Sequence, residues 1–452
     1  KHPAANAASI KPAAHAADIK SALIMYLHVR ASCLFLSLSY RLGAFEVSAE
    51  SPVLANTAED AHCHGISILQ IAAGKPQSQQ ALNNSEHHER SLFSLAWERG
   101  TESSLSFDDL FPDTQLEDLD ESFAASAIAV TVADPNFQKK VPRSHWAHLR
   151  MFNPSLFVDA HGFMQLVARV GTSSRCCGSR YCQHKIPSNE RWQSIVKCSN
   201  KFDEVQCSQP VSGIEDPHAF NMSGRSLALA NSYAFSAASG WEERCTIHLV
   251  NLETFSKLPL HLPDSKPCEK NWSPFVENRE LFMTYELSPK HRVIHCEIER
   301  HSTCKFAFVA ESNFSMIGLP VGQFFSDLHG GVPYAELDED HLVAIAHRYT
   351  LVNDTSSNAR EYWHSFYAIQ RRPPFPVISN TPWFRFPHLE ADASAEWAAI
   401  QYASGLVRVD GGKDRGSQFL VSFGVGDCHS RSLRLFVRDV ERALYLSKTS
   451  VS

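Results

Sequence analysis

From Leu149 onward, hydrophobic residues come in short runs separated by turn-forming ones. Phe163–Val170, Ser226–Phe235, Glu280–Leu287, Arg292–Ile298, His341–Leu351, Tyr362–Ile369, Gln418–Val425 and Leu433–Val440 are rich in β-branched, aromatic and aliphatic residues and predict strands. Ser288-Pro289-Lys290, between two of these runs, reads as a hairpin turn. No long helical period interrupts the series, so this half predicts an all-β domain. Polar or Gly-rich clusters recur ahead of paired strands at Asn153, Asp216, Lys270, His329 and Gln401, at intervals of 54 to 72 residues. A four-stranded propeller blade takes about 40–50 residues, and longer loops account for the excess. The expected architecture is a five-bladed β-propeller over residues 146–445, with a sandwich as the main competitor.

Residues 1–145 have a different texture. The first twenty are Ala-rich and polar, and Glu102, Asp108, Asp109, Asp113, Glu117, Asp118, Asp120 and Glu121 form an acidic run that reads as a solvated loop or tail. This region is expected to be an N-terminal extension, partly disordered or helical. Within it, Ser21 to Phe45 is split by His28 and Arg30 and reads either as an amphipathic or core helix or as a degraded signal or anchor. No stretch reaches the roughly 18–20 apolar residues of a spanning helix. Membrane association is therefore expected only through the N-terminal region, as an anchor or stem.

The composition is that of a globular chain: 452 residues, 44% hydrophobic and 20% charged. A net charge of −7 argues against a nucleic-acid partner. Twelve cysteines are too few for a disulfide-built scaffold, yet Cys176, Cys177, Cys182, Cys198 and Cys207 lack zinc spacing and are expected to form disulfides. With sequons at Asn83, Asn221, Asn271, Asn313 and Asn353, they lean towards the secretory pathway or the extracellular space, the cytoplasm being the alternative. His62-Cys63-His64 reads as incidental. There is no Gly-rich nucleotide loop and no Gly-x-Ser-x-Gly elbow, so neither a metal nor an organic cofactor is expected.

In a propeller, the innermost strands begin near one axis, so polar residues far apart in sequence converge in a single funnel. The clusters are Phe152-Asn153-Pro154 with Arg169; Gly213-Ile214-Glu215-Asp216-Pro217-His218; Glu269-Lys270-Asn271-Trp272-Ser273-Pro274-Phe275; His329-Gly330-Gly331-Val332-Pro333-Tyr334 with His347; and Gln401-Tyr402-Ala403-Ser404-Gly405-Leu406 with Ser422-Phe423-Gly424-Val425-Gly426-Asp427. In that order, over about Leu149 to Val440, the chain resembles glycoside hydrolase family 130, the β-mannoside phosphorylases, and the related β-1,2-mannosyltransferases.

The resemblance implies a carbohydrate-active enzyme that cleaves or transfers β-mannosyl or similar residues of an oligosaccharide or glycan. Inorganic phosphate or a sugar phosphate would be the co-substrate. Asp216 looks like the catalytic acid; because phosphate is itself the nucleophile, this differs from the two-carboxylate scheme of glycoside hydrolysis. Arg169, Lys270, His329, Tyr334 and His347 look like a phosphate cradle. Trp272 suits a sugar-stacking platform, and Asn153, Glu215, His218, Asn271 and Asp427 suit substrate binding. Two departures weaken phosphate as acceptor: His218 and His329 stand where the family commonly has arginine, and histidine titrates near pH 6.5. A three-carboxylate propeller hydrolase is disfavoured by Asn153 and Lys270 at blade starts where that class places acids. A non-catalytic sugar-binding propeller remains the reading from a different class.

Overall fold

The computed structural model describes residues 106–449, except 120, 173–191, 202–203, 236–242, 264, 267, 269, 299–301, 313, 317–318, 320–327, 352–359, 390–399 and 411–415. All of them belong to one compact unit running from Ser104 to Ser452. The Ser21–Phe45 segment, the sequons at Asn83, Asn313 and Asn353, His62-Cys63-His64, and Cys176, Cys177 and Cys182 lie outside the described residues.

The chain enters through α1 (Phe107–Leu110), β1 (Gln115–Asp118), α2 (Glu121–Ala133) and α3 (Pro135–Lys140). Blade I follows as β2 (Leu149–Val158), β3 (Met164–Thr172), β4 (Gln193–Lys201) and β5 (Glu204–Cys207), with β6 (Val211–Ser212) also pairing with β4. Blade II is β7 (Glu215–Met222), β8 (Arg225–Phe235), β9 (Glu243–Asn251) and β10 (Lys257–Pro259). Blade III is β11 (Ser273–Glu277), β12 (Glu280–Glu286), β13 (Lys290–Glu297) and β14 (Thr303–Glu311), and blade IV is β15 (Ala335–Glu336), β16 (His341–Leu351), β17 (Arg360–Gln370) and β18 (Val377–Asn380). Blade V has β19 (Gln401–Asp410), β20 (Ser417–Val425) and β21 (His429–Phe436), and its fourth strand is β1, antiparallel to β21. Helix α4 (Val437–Thr449) ends the described chain. Among the described residues the strands thus form the five antiparallel sheets of a five-bladed β-propeller, closed by a strand from its N-terminal side.

Near-continuous apolar runs form these strands because each blade is packed on both faces. Along β16, Leu342, Ala344 and Ala346 point into a cluster shared with blade III, whereas Val343 and Ile345 point into one shared with blade V. That is the two-residue period of a strand, with both faces dry. Five such clusters, among the described residues, fill the wedges between neighbouring blades. Helices α2 and α3 add Ala127 and Phe137 to the wedge beside blade I, and α1 and α4 add Phe107, Leu110, Val440 and Leu444 to the wedge between blades IV and V.

Two expectations change here. The strand expected at Leu433–Val440 stops at Phe436, where α4 begins; its buried Val437, Val440, Ala443 and Leu444 follow a helical spacing. The acidic run, expected to be a solvated loop or tail, is exposed at its described acidic residues but is folded into helix and strand rather than a tail. Asp109 and Ser106 form a capping box on α1, and Asp118 pairs with Arg431, which is 2% exposed. Residues 106–145, read above as extension, are therefore built into the propeller unit. Among the described residues, disulfides join Cys198 to Cys207 between β4 and β5, Cys245 of β9 to Cys268 in the segment after β10, and Cys296 to Cys304 between β13 and β14. No helix among the described residues is long and apolar enough to cross a membrane.

Candidate active site

The inner strands are interrupted where the sequence places its polar clusters. The pairing of β2 with β3 shifts between Phe152 and Ser155, that of β7 with β8 between Glu215 and His218, and that of β19 with β20 between Ala403 and Gly405. Such bulges bend a strand and re-aim its side chains. At or beside the clusters, Asn153, Asp216, Asn271 and Asp427 have φ of 49°, 50°, 62° and 55°, the left-handed region that Asn and Asp tolerate best among non-glycine residues. The strands come together through small residues. Ala219 N–H donates to Ser155 Oγ (2.8 Å), Leu156 N–H to Ser422 Oγ (3.0 Å), and Ser404 Oγ to the Pro154 carbonyl (2.7 Å).

This arrangement gathers a charged cluster from three blades. Asn153 Nδ2 donates to Asp216 Oδ1 (2.7 Å), and Arg169 Nη1 donates to the same oxygen (2.9 Å). Arg169 Nη2 lies 2.6 Å from Glu215 Oε2, and Lys270 Nζ lies 3.9 Å from Glu215 Oε1. Arg169 also lies over the Phe152 ring, 4.7 Å from its centroid. Its guanidinium is therefore shared by two adjacent carboxylates, and they keep it charged despite its burial.

The two carboxyl groups are driven apart. Burial pushes Glu215 up to about 7; Arg169 opposes that rise, and the Asp216 charge adds to it. Burial also works to raise Asp216, but the charges of Arg169 and Lys270 and the hydrogen bonds from Asn153 and Arg169 outweigh it and hold Asp216 below the usual carboxylate range. Adjacent carboxyls with opposite shifts are the pattern of an acid–base pair.

A second layer adjoins this cluster. The Tyr402 hydroxyl lies 2.7 Å from Asn271 Oδ1 and 3.2 Å from His218 Nε2, and its one hydrogen serves only one of them at a time. His218 Nδ1 faces the Ser404 carbonyl at 3.3 Å, so that nitrogen carries the proton. Burial brings His218 down to about 4, leaving it neutral at physiological pH. Gly331, with φ of 123°, is close enough that a Cβ there would lie 3.3 Å from the Tyr402 hydroxyl and 3.4 Å from His218. A backbone bridge joins His329 to His347. The His347 ring stacks on Tyr362 at 5.6 Å and meets Tyr402 edge-on at 5.5 Å. Burial, then the neighbouring His329, His364 and His218, hold His347 well below its ordinary value.

The structure thus joins Asn153, Arg169, Glu215, Asp216 and Lys270 directly and sets His218 and Asn271 in the adjoining Tyr402 network. Asp427 acts on Arg169 and Glu215 through its charge. Three expected roles change. Trp272 is 3% exposed and packs with Leu260, Leu262, Leu281 and Met283 between blades II and III, so it is a core residue and offers no face for sugar stacking. The Tyr334 hydroxyl is 2.7 Å from Thr284 Oγ1, itself 2.9 Å from His291 Nε2, in a buried network between blades III and IV. Arg169 spends its fork on the two carboxylates, and His347 is neutral and stacked, so the expected five-residue phosphate cradle is not assembled as such. Tyr402 and Tyr362 were not given a site role in the sequence. No group of three or more His, Cys, Asp or Glu among the described residues is placed to hold a metal ion.

No protein-family model matches the chain, and no curated protein sequence does. Among solved structures, it is similar to a β-1,2-mannobiose phosphorylase from Listeria innocua, at 12% identity over 74% of this chain and 99% of that one, with a TM-score of 0.45. It is also similar to a glycosyl hydrolase from Bacteroides ovatus, at 14% identity over 63% and 84% with a TM-score of 0.44. A mannose phosphorylase from Leishmania mexicana aligns at 12% identity over 64% and 84%, with a TM-score of 0.40.

Proposed function

We propose that this chain is a carbohydrate-active enzyme that acts on glycosidic bonds, those of β-mannosides or similar glycosides, at the Glu215–Asp216 pair. The observation that carries the reading is the meeting of Asn153 and Arg169 from blade I, Glu215 and Asp216 from blade II and Lys270 ahead of blade III around one shared guanidinium. A buried, paired and still ionisable carboxylate pair where neighbouring blades meet is costly as mere structure.

In this reading Asp216 faces the glycosidic oxygen. Its side chain is 13% exposed against 5% for Glu215, and Oδ2 is its carboxyl oxygen without a hydrogen bond among the described residues. During phosphorolysis an oxygen of hydrogen phosphate bonds to the anomeric carbon and the glycosidic C–O bond breaks. Asp216, ionised at rest, takes the hydrogen of the incoming phosphate and passes it to the leaving oxygen, so the products are a glycosyl phosphate and an alcohol. In the synthetic direction the ionised Asp216 takes the acceptor hydroxyl's proton. Glu215 is the proton-holding neighbour, and Arg169 fixes both carboxyls.

The test is a panel of short β-mannosides and other β-glycosides incubated with the protein, with and without phosphate, and followed by NMR. Phosphate-dependent appearance of a sugar 1-phosphate supports phosphorolysis, and new oligosaccharides from a sugar phosphate donor support transfer. No conversion of any glycoside or sugar phosphate by the folded protein counts against an enzymatic site.

A further inference from the structure

A second charged surface lies outside the inner strands, where the chain enters blade I. From Pro135 to Arg150 the sequence carries Lys139, Lys140, Arg143 and Arg150 and no acidic residue, in a chain whose net charge is −7. The local fold is anchored from beneath: Phe137 and Val141, 0% and 1% exposed, are buried in the wedge beside blade I. The Val141 N–H donates to the Phe137 carbonyl and ends α3, and a 3-10 turn (Arg143–His148) follows. That turn folds back onto the helix end. Trp146 Nε1 donates to the Val141 carbonyl (3.2 Å), and its ring packs on Phe137 with the centroids 5.7 Å apart.

The helix end and the turn line a cavity of about 310 Å³ whose walls include Gln138, Lys139, Lys140, Pro142, Arg143 and Trp146. No acidic residue lines it, and among the described residues Lys139, Lys140 and Arg143 make no ion pair. Cations in the last turn of a helix complement its carbonyls, which accounts for the two lysines. It does not account for Arg143, which lies beyond the helix, borders the same cavity and is held with its guanidinium 5.6 Å from the Trp146 centroid. Three positive groups around one hollow repel one another, and an anion seated among them relieves that repulsion. Size and lining narrow the anion. The volume is the share of about ten waters, well above a bare oxyanion and at the lower end of small-molecule sites. The Gln138 carboxamide, set by its 2.8 Å bond to the Val132 carbonyl, and the rings of Pro142 and Trp146 put neutral polar and apolar wall beside the charges. A sugar ring bearing an acidic group offers that same combination. A membrane surface fits less well: Trp146 is half-buried, and none of the large exposed hydrophobic residues among those described belongs to this segment.

We propose that this cavity is a binding site for an acidic saccharide, in which Lys139, Lys140 and Arg143 hold a sulfate or carboxylate group and Gln138 and Trp146 border the sugar ring. It shares no residue with the Glu215–Asp216 cluster, and the proposal does not depend on turnover there.

Calorimetric titration of the full chain tests it, with a sulfated galactobiose, digalacturonate, neutral galactobiose and inorganic sulfate as ligands and phosphatidylserine vesicles as a further arm. The wild type is compared with Lys139→Gln/Lys140→Gln/Arg143→Gln and with Arg225→Gln/Lys290→Gln/Lys305→Gln, which removes as many exposed cations elsewhere. All six side chains are exposed, so both variants should melt as the wild type does. Should the first melt early, Lys139→Gln/Lys140→Gln leaves the Arg143–Trp146 contact intact and takes its place. The expected result is wild-type binding of at least one acidic disaccharide, weakened about tenfold or more in the cavity variant, kept within about threefold in the surface variant, and reduced by added salt. Neutral galactobiose should show no dependence on the three residues, and the tighter of the two acidic ligands identifies the acidic group. Equal loss in both variants, no acidic disaccharide bound by the wild type, inorganic sulfate bound as tightly as the sulfated disaccharide, or binding to the vesicles alone overturns the proposal.

Discussion

Arg169→Met isolates the charge at the centre of the site. The side chain is 12% exposed, and it answers two carboxylates that are 5% and 13% exposed, so solvent screens it little. Methionine keeps an unbranched stem against Phe152 and removes only the fork. Taking one partner from a buried ion pair costs about 3–5 kcal/mol, because the remaining charge is stranded in a poor dielectric. At about 2–4 °C per kcal/mol for a large domain, the variant is expected to melt roughly 10 °C below the wild type near neutral pH. The pH dependence follows from the direction of each shift. Asp216 is held below its unfolded value, so its ionisation supplies stability above that value, lost as pH falls through the lower folded one. Glu215 is raised from 4.5 to about 7, so its folded form retains a proton the unfolded chain has released, and it costs stability as pH rises through that window. Without Arg169 both carboxyls shift upward. The deficit of Arg169→Met is therefore small near pH 4 and grows to its full size above pH 7. Differential scanning calorimetry of both proteins across that range reads it directly. Equal melting throughout, or a deficit that is larger in acid, would refute the reasoning.

Three further perturbations address other parts of the account. Trp272→Ala should cost about 3–5 kcal/mol as a core truncation, measured by denaturant unfolding, whereas Trp272→Phe should leave KM for the glycan unchanged because the ring touches no substrate. Gly424→Ala would put a Cβ 2.0 Å from Asn153 Oδ1 and 2.8 Å from its backbone nitrogen; displacing Asn153 from Asp216 is expected to lower kcat about tenfold or more while circular dichroism stays native. Reducing Cys198–Cys207, Cys245–Cys268 and Cys296–Cys304, which span 9, 23 and 8 residues, should remove about 2.5–3.5 kcal/mol for each bond on loop entropy, seen as a lower melting temperature in dithiothreitol.

Much of the propeller was legible because blade strands carry a period-two pattern dense enough to stand out: the run His341–Leu351 coincides with β16, and Gln418–Val425 lies within β20. The closing strand was not, since β1 is four residues with mostly exposed side chains and its place is set by pairing with β21, far away in sequence. Helix α4 was legible in principle, but its first four residues, Val437 to Val440, also continue the apolar run of β21. Asn153, Glu215, Asp216 and Lys270 could be read because each sits in a short motif at a blade start. Arg169 was seen, but its ion pairs were not: nothing in the sequence says that Glu215 and Asp216 will share its guanidinium. Trp272 was misassigned for a related reason, since the residue after Asn271 turns back into the wedge between blades. Tyr362 comes against His347 only through the register of β17 on β16.

The central claim is that the Glu215–Asp216 pair turns over glycosidic bonds. The most direct measurement is the initial rate of product release from the best glycoside, by wild type and by Asp216→Asn at matched folded concentration. Removal of a proton-transferring group predicts a loss of about 100-fold to 10,000-fold in kcat for Asp216→Asn, with its melting temperature preserved. An Asp216→Asn enzyme within about threefold of the wild-type rate, well short of that range, would contradict the account.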